Sequence, residues 1–250
     1  MKSIWITGAS SGIGKSLALK FAKEGWQVAA SARREDLLNQ LSTSNKNITS
    51  FPLDVTDREK CKEVFEKIIS TYQDIDICFF STGTWDPKKE KDIDIDQMKN
   101  VMEVNFFGTL NCIKVVEKYL KEKKNGHISI VSSIAGYRGL PNSTGYGASK
   151  AALNNLAESL YFDFGRHNVR VSLISPGFIK TPMTDKNEFK MPFLKTPDFA
   201  ANKIYNGLVN GSSFEIDFPK ELTLILKILK ILPDKIYFRL IKKLTKYQKL

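Results

Sequence analysis

The sequence predicts a doubly wound α/β fold, a parallel sheet with helices on both faces, and two observations lead to it. Short apolar runs alternate along the chain with longer amphipathic stretches, the rhythm of repeated strand and helix units. The runs are apolar throughout instead of alternating with polar residues, which is the pattern of parallel strands buried on both sides. No Pro/Gly/Ser-rich linker, low-complexity segment or internal repeat interrupts the 250 residues, so one domain with a sizeable core is expected.

In chain order, SIWIT is the first strand and GKSLALKFAKEG the first helix; QVAAS and REDLLNQLS make the second pair, ITSFPLD and REKCKEVFEKIISTY the third. IDICFFS follows as a strand, then a long helical region from about Asp96 to Lys123. After it come HISIVSS, a helix from about Gly145 to Arg166, VRVSLIS, a helix from about Asp198 to Asn210, and SFEID. From Glu221 the rhythm changes: ELTLILKILKIL and, past Pro233, DKIYFRLIKKLTKYQ read as two helices. In the second, Tyr237, Leu240, Ile241 and Leu244 recur at i, i+3, i+4, i+7, with lysines and Arg239 on the other side. The expected division is an α/β domain over residues 1–217 and a basic amphipathic tail over 218–250.

Hydrophobic residues make up 42% of the chain and charged residues 26%, both spread along it, so a folded chain is expected. Cys61, Cys78 and Cys112 lie far apart with no CxxC pair, and His127 and His167 are the only histidines, so neither a disulfide framework nor a metal site is expected. The N-terminal apolar run in MKSIWITGASSG is too short for a signal peptide, and a reducing, cytoplasmic setting fits. The net charge of +11 suits nucleic acid or anionic lipid in principle. Between Glu221 and Leu250, however, eight basic residues stand against two acidic ones, so the tail carries +6 of it.

ITGASSGIGKSLAL sets Gly8, Gly12 and Gly14 directly after the first strand and at the mouth of the first helix. Glycine permits the tight turn and lets backbone N–H groups approach a pyrophosphate, whose charge the helix N-terminus stabilises. Ser10, Ser11 and Ile13 complete this candidate cofactor loop. In dinucleotide sites an acidic residue about 20 positions on usually receives the ribose hydroxyls. Here that place is Ala32, followed by Arg33 and Arg34. With no carboxylate to repel a 2′-phosphate and an arginine able to pair with it bidentately, NADP(H) is favoured over NAD(H), with Arg33 as the contact. The alternative is a solvated Arg-Arg turn balanced by Glu35 and Asp36.

GYGASKAAL places Tyr146 four residues before Lys150, on one face of a helix. A free phenol ionises near pH ~10 and a neighbouring cation favours the ionised form, so Tyr146 can exchange a proton with a carbonyl or alcohol oxygen. Ser133, at the carboxyl end of HISIVSS and thirteen residues before Tyr146, can hydrogen-bond that same oxygen. The small residues Gly147, Ala148, Ser149, Ala151 and Ala152 leave room for a nicotinamide or another helix.

TGxxxGxG at Thr7 to Gly14, the Tyr146/Lys150 pair and the upstream Ser133, in this order, resemble the short-chain dehydrogenase/reductase family over roughly residues 1–217. The resemblance implies a Rossmann-like domain and a catalytic set of Asn105, Ser133, Tyr146 and Lys150, with Lys150 also on the nicotinamide ribose and Asn105 positioning a water. It further implies Asp54 and Val55 near the adenine, Gly83 on the cofactor-facing loop, Pro176 and Gly177 beneath the nicotinamide, and Ile179 and Thr181 at its carboxamide. The usual NNAG after the fourth strand stands here as FSTG, Phe80 to Gly83, with only the glycine matching. A homo-oligomer, dimer or tetramer, is also expected.

The segment TPMTDKNEFKMPFLKTP, Thr181 to Pro197, matches the family's substrate lid and supplies Met183, Met191, Phe193 and Leu194, with Gly139-Leu140-Pro141 on the facing loop. Ser133, Tyr146 and Met183 are the expected substrate contacts, and such apolar surroundings suit a hydrophobic carbonyl or alcohol. The run from Leu222 to Leu232 is shorter than the ~20 residues that span a bilayer. The tail therefore either lies on an anionic membrane surface or packs on the domain or a partner subunit. Nucleic acid is not expected, because the tail's basic residues are interleaved with aliphatic ones. Two functions follow: an NADP(H)-dependent oxidoreductase, or an NADP(H)-binding sensor or scaffold without turnover.

Overall fold

The computed structural model describes residues 1–86 and 93–245. Strands β1 (Ser3–Thr7), β2 (Gln27–Ser31), β3 (Ile48–Ser50), β4 (Ile77–Phe80), β5 (His127–Val131), β6 (Arg170–Pro176) and β7 (Glu215–Phe218) form one parallel sheet in the order 3-2-1-4-5-6-7. This is the doubly wound fold predicted. β3 is shorter than its apolar run, since Pro52 has no N–H for the ladder; Phe51 and Leu53 still donate to Ala30 O (2.8 Å) and Ala32 O (2.9 Å).

Helices α1 (Gly12–Lys23), α2 (Glu35–Ser44) and α7 (Pro197–Val209) cover one face; α3 (Arg58–Tyr72), α5 (Gly108–Lys123) and α6 (Thr144–Gly165) cover the other. Successive strand side chains divide between the layers. Ile4 and Ile6 join Leu17, Phe21 and Ile204, while Trp5 between them joins the opposite core, its ring 5.7 Å from Phe65 and 5.5 Å from Phe80. The strand order reverses between β1 and β4, which opens a crevice at the carboxyl ends of the strands.

The long helical region is not one helix. α4 (Ile95–Met102) runs into a five-residue π turn, Glu103–Phe107, before α5 begins. Apolar spacing does not register a π turn. Gly108, which follows the turn, lets α5 pass against Val55: a Cβ there would come within 2.5 Å of Val55 Cγ2. His127 pins β5 to β6 through Ser172 Oγ (2.8 Å); burial pulls its pKa down to about 3, so it stays neutral and serves the sheet.

Beyond β7, α8 (Lys220–Ile231) and α9 (Asp234–Thr245) fold back on the domain. Leu229, Tyr237 and Ile241 make a small core with Leu140 and Leu226. Arg138 closes it: its guanidinium donates to Leu232 O (2.7 Å), Leu229 O and Lys230 O, pairs with Asp234, and stacks 3.9 Å over the Tyr237 ring. A cation at the last carbonyls of α8 is well placed against the helix dipole. Tyr237, Ile241 and half-buried Leu240 of the predicted stripe thus face inward, and only Leu244 is exposed. Lys246 and Lys249 of the tail lie outside the described residues.

Candidate active site

The glycine loop follows from sterics. Gly8 and Gly12 take φ of +72° and +54°, the left-handed region. A Cβ on Gly14 would stand 2.4 Å from Gly8 O, and one on Gly8 2.9 Å from Ser81 O, so the turn closes only on hydrogen atoms. Ser11 N-caps α1 without a side-chain hydrogen bond, which leaves the first-turn N–H groups for an anion. This cradle fits a pyrophosphate. The FSTG sequence also finds its role here: Ser81 Oγ donates to Thr7 O (2.5 Å) and Ser81 N–H to Thr7 Oγ1 (3.2 Å), tying β4 to β1 at the loop.

The two arginines separate. Arg34, which the sequence reading did not select, donates from its fork to Ser10 Oγ (2.9 and 3.2 Å) and Ser11 Oγ (2.7 Å). Arg33 extends outward, 65% exposed, 3.9 Å from Asp54 Oδ2. Asp54 is otherwise held by Thr56, whose N–H and hydroxyl donate to Oδ1 (3.0 and 2.8 Å).

At the end of β5 the neighbouring serines take different work. Ser132 is buried and donates to Lys150 O (3.0 Å), fixing α6 against the strand. Ser133 reaches the crevice, and its Oγ accepts from Ala135 N–H (3.2 Å), which leaves the hydroxyl proton to donate. Gly136 is required beside them, since a Cβ there would meet Lys150 C and O at 2.8 Å. Lys150 Nζ lies 5.6 Å from the Tyr146 ring centroid and donates to Val131 O (2.9 Å). Burial brings the Lys150 ammonium from 10.5 down to about 8, so it is charged below that pH and loses its proton as pH rises through it. Where the charged form assists turnover, the pH profile of kcat/KM falls above about 8; a Lys150→Arg variant that keeps activity moves this limb upward. A profile flat across that range contradicts a role for the charge.

Asn105 sits in the π turn, fully buried. Its Oδ1 accepts from Thr84 N–H (2.7 Å), and its Nδ2 donates to Thr84 O (3.1 Å) and Ser149 Oγ (3.0 Å). It therefore clamps the loop after β4 to α6 next to Lys150 and does not line the crevice. Sequence reasoning also missed Trp85, whose ring lies 5.2 Å from that of Tyr146 at 31°, with its Nε1 buried and without a hydrogen-bond partner among the described residues. A tryptophan two residues after the glycine of FSTG was the available signal. Across the crevice, the Lys186–Asp86 pair (3.8 Å) joins the segment after β6 to the loop after β4.

One crevice of about 300 Å³ brings together Gly8, Ser10, Ser11, Gly12, Ile13, Gly14, Arg33, Arg34, Asp54, Val55, Gly83, Ser133, Tyr146, Lys150, Pro176, Gly177, Ile179, Thr181 and Met183. Of the other expected lid and loop residues, Phe193 and Leu194 are exposed, and Leu140 turns into the tail's core.

Fold and crevice define a dinucleotide-binding α/β protein with a serine, a tyrosine and a lysine gathered at the strand ends. The family model described as short chain dehydrogenase matches residues 2–191, and the chain belongs to that family of oxidoreductases. It is 32% identical over 236 residues to an uncharacterized oxidoreductase of Myxococcus xanthus, covering 93% of each chain, so that likeness runs past the last residue of the family match. It is 38% identical over 190 residues to the 3-oxoacyl-acyl-carrier-protein reductase FabG of Thermotoga maritima, covering 72% of this chain and 75% of that one. The solved structure of ElxO with NADP bound superposes with a TM-score of 0.75 at 28% identity, covering 86% of this chain and 97% of ElxO.

Proposed function

We propose that this chain is an NADP(H)-dependent oxidoreductase that interconverts a carbonyl and a secondary alcohol on an apolar small molecule. The observation that carries the reading is the meeting of Ser133, Tyr146 and Lys150 with the glycine loop in one crevice. A nicotinamide cofactor would be held by the glycine loop and by Pro176, Gly177, Ile179 and Thr181, and when bound it would supply or accept the hydride. In the reducing direction, the Ser133 hydroxyl donates to the substrate oxygen, its own lone pair polarised by Ala135 N–H. Tyr146 Oη gives its proton to that oxygen as the carbon–hydrogen bond forms, and the Lys150 charge stabilises the negative charge left on the phenol oxygen. Asn105 acts from behind, holding Thr84 and Ser149 in place. Met183 and Ile179 give the crevice apolar surface, with Trp85 packed against Tyr146 beside it, which supports a hydrophobic substrate. FabG by its name reduces 3-oxoacyl groups, which supports carbonyl reduction. The test is NADPH consumption with a panel of apolar ketones; no turnover of any member, with NADPH bound, would leave a binding protein.

The preference for the 2′-phosphate rests on Ala32 standing where a carboxylate would, on Arg33 and Arg34 beside the loop, and on the likeness to ElxO with NADP bound. Arg34→Ala is expected to weaken NADPH roughly tenfold or more, the loss of a charged hydrogen bond, and NADH by less, because the Ser10 and Ser11 contacts serve both. Equal losses by calorimetry would sink the assignment.

Three buried free cysteines support a cytoplasmic setting. Exposed Phe107, Tyr161 and Phe162 support a homo-oligomer; the expected division between 217 and 218 falls inside β7, so the basic tail begins after Phe218 and packs on the domain, and it makes peripheral contact with a membrane surface.

A further inference from the structure

Ser133 and Tyr146 are joined by a short stretch of chain, and the tail holds it. Residues 134–143 leave the end of β5 and lead into α6, so one end of this loop sets the Ser133 hydroxyl and the other the Tyr146 phenol. Its first part, the 3₁₀ turn Ile134–Gly136, is pressed on α6: Asn154 Nδ2 donates to Gly136 O (2.9 Å), while Gly136 N–H donates back to Ser133 O (2.9 Å).

The next four residues take partners from β7 and the tail. Tyr137 Oη donates to Glu215 Oε1 (2.6 Å), whose other oxygen pairs with Lys227 Nζ of α8 (2.7 Å). Arg138 donates to Leu232 O (2.7 Å) and to Leu229 O and Lys230 O (both 3.2 Å), pairs with Asp234, and lies 3.9 Å over the Tyr237 ring. Gly139 O accepts from Tyr237 Oη (2.6 Å), and Leu140 packs in the tail's core. Tyr237 is buried and the Arg138 side chain is 20% exposed, so little water competes for these bonds.

A tail that only covered apolar surface could fasten anywhere on the domain. This one fastens on the loop between Ser133 and Tyr146, and on the turn after β6 as well, where Gly177 N–H donates to Phe218 O (2.7 Å) and a Cβ on Gly177 would meet Leu222 Cδ2 at 3.0 Å. Residues 137–140 do not line the crevice, so their contacts with the tail act on the reaction only through the two hydroxyls that the loop carries. Those hydroxyls need exact placement, since a shift of about 1 Å costs on the order of 10²-fold in rate. We propose that Arg138 and Tyr237 are positioning residues, through which the tail clamps the loop between Ser133 and Tyr146 and fixes both hydroxyls on the substrate oxygen. This rests on the reading of Ser133 and Tyr146 as the groups that act on that oxygen.

The experiment compares the full chain with Tyr237→Phe, Arg138→Ala and Arg138→Lys by amide hydrogen exchange and by NADPH-dependent ketone reduction, with NADPH affinity and thermal unfolding measured on each. Ile68→Val, buried in α3, is the control for a loss of stability alone. Tyr237→Phe removes one oxygen and leaves the ring under Arg138. It is expected to speed exchange across residues 133–143 roughly fivefold or more, the worth of one hydrogen bond, and to lower kcat by a similar factor, with exchange in residues 8–14 and NADPH affinity unchanged. Arg138→Ala is expected to do more, and Arg138→Lys to restore part of both losses, since an ammonium keeps the charge without the planar fork. Ile68→Val is expected to lower the unfolding temperature with kcat and loop exchange unchanged. The proposal is overturned if Tyr237→Phe and Arg138→Ala leave loop exchange as in the wild type, if they loosen the loop but keep full kcat, or if Ile68→Val lowers kcat as much. A wild type that turns over no ketone strikes the oxidoreductase reading and the positioning role with it, whereas an active wild type with unaffected variants strikes the clamp alone.

Discussion

Tyr146→Phe is expected to lower kcat for ketone reduction by roughly 10²- to 10⁴-fold, the usual worth of a general acid. The substitution removes one oxygen and little else. The phenyl ring still packs 5.2 Å from Trp85, and Lys150 keeps its bond to Val131 O (2.9 Å), so fold and NADPH affinity persist. Because the proton moves only as the hydride arrives, the loss falls on kcat more than on KM. Full activity in the variant would place the acid elsewhere, and a parallel loss of NADPH binding would mean that Tyr146 serves the cofactor and not the proton.

Gly14→Ala is expected to abolish tight cofactor binding, with Kd for NADPH raised on the order of a hundredfold or more. One added methyl would stand 2.4 Å from Gly8 O, 2.8 Å from Gly8 C and 3.1 Å from Ser81 Oγ, and two of these neighbours are backbone that cannot rotate away. Either the helix slides outward or the loop opens, and both move the N–H groups that face the pyrophosphate. Overpacking of this kind also costs about 1–3 kcal/mol of stability, so thermal unfolding is read alongside calorimetric titration with NADPH. A variant that binds NADPH as the wild type does would remove the glycine loop from the cofactor site.

The sheet was legible because strands buried on both faces must be apolar throughout: SIWIT and QVAAS mark β1 and β2 to the residue, and HISIVSS overruns β5 by two residues. The π turn at Asn105 was not, because one extra residue in a helical turn leaves the apolar spacing nearly intact. The spacing to Tyr146 picked Ser133 over Ser132, and the geometry gives the reason: Ser132 is occupied by Lys150 O. Between Arg33 and Arg34 spacing has no power, since adjacent residues on a turn point in different directions. Asn105 finds its partners at Thr84 and Ser149, far apart in sequence, and so no local pattern announces them. In the tail, α8 carries Lys220, Lys227 and Lys230 on one side and aliphatic residues around most of the rest, so periodicity alone does not tell which aliphatic residues face inward.

Hydride transfer itself is the most direct test of the account. With NADPH deuterated at the transferring position of nicotinamide C4 and an apolar ketone, the wild type is expected to yield the alcohol carrying one deuterium on the carbinol carbon, and Tyr146→Phe to form it far more slowly while binding NADPH equally well. NADPH binding without deuterium transfer to any ketone of the panel would contradict the oxidoreductase and identify a cofactor-binding protein instead.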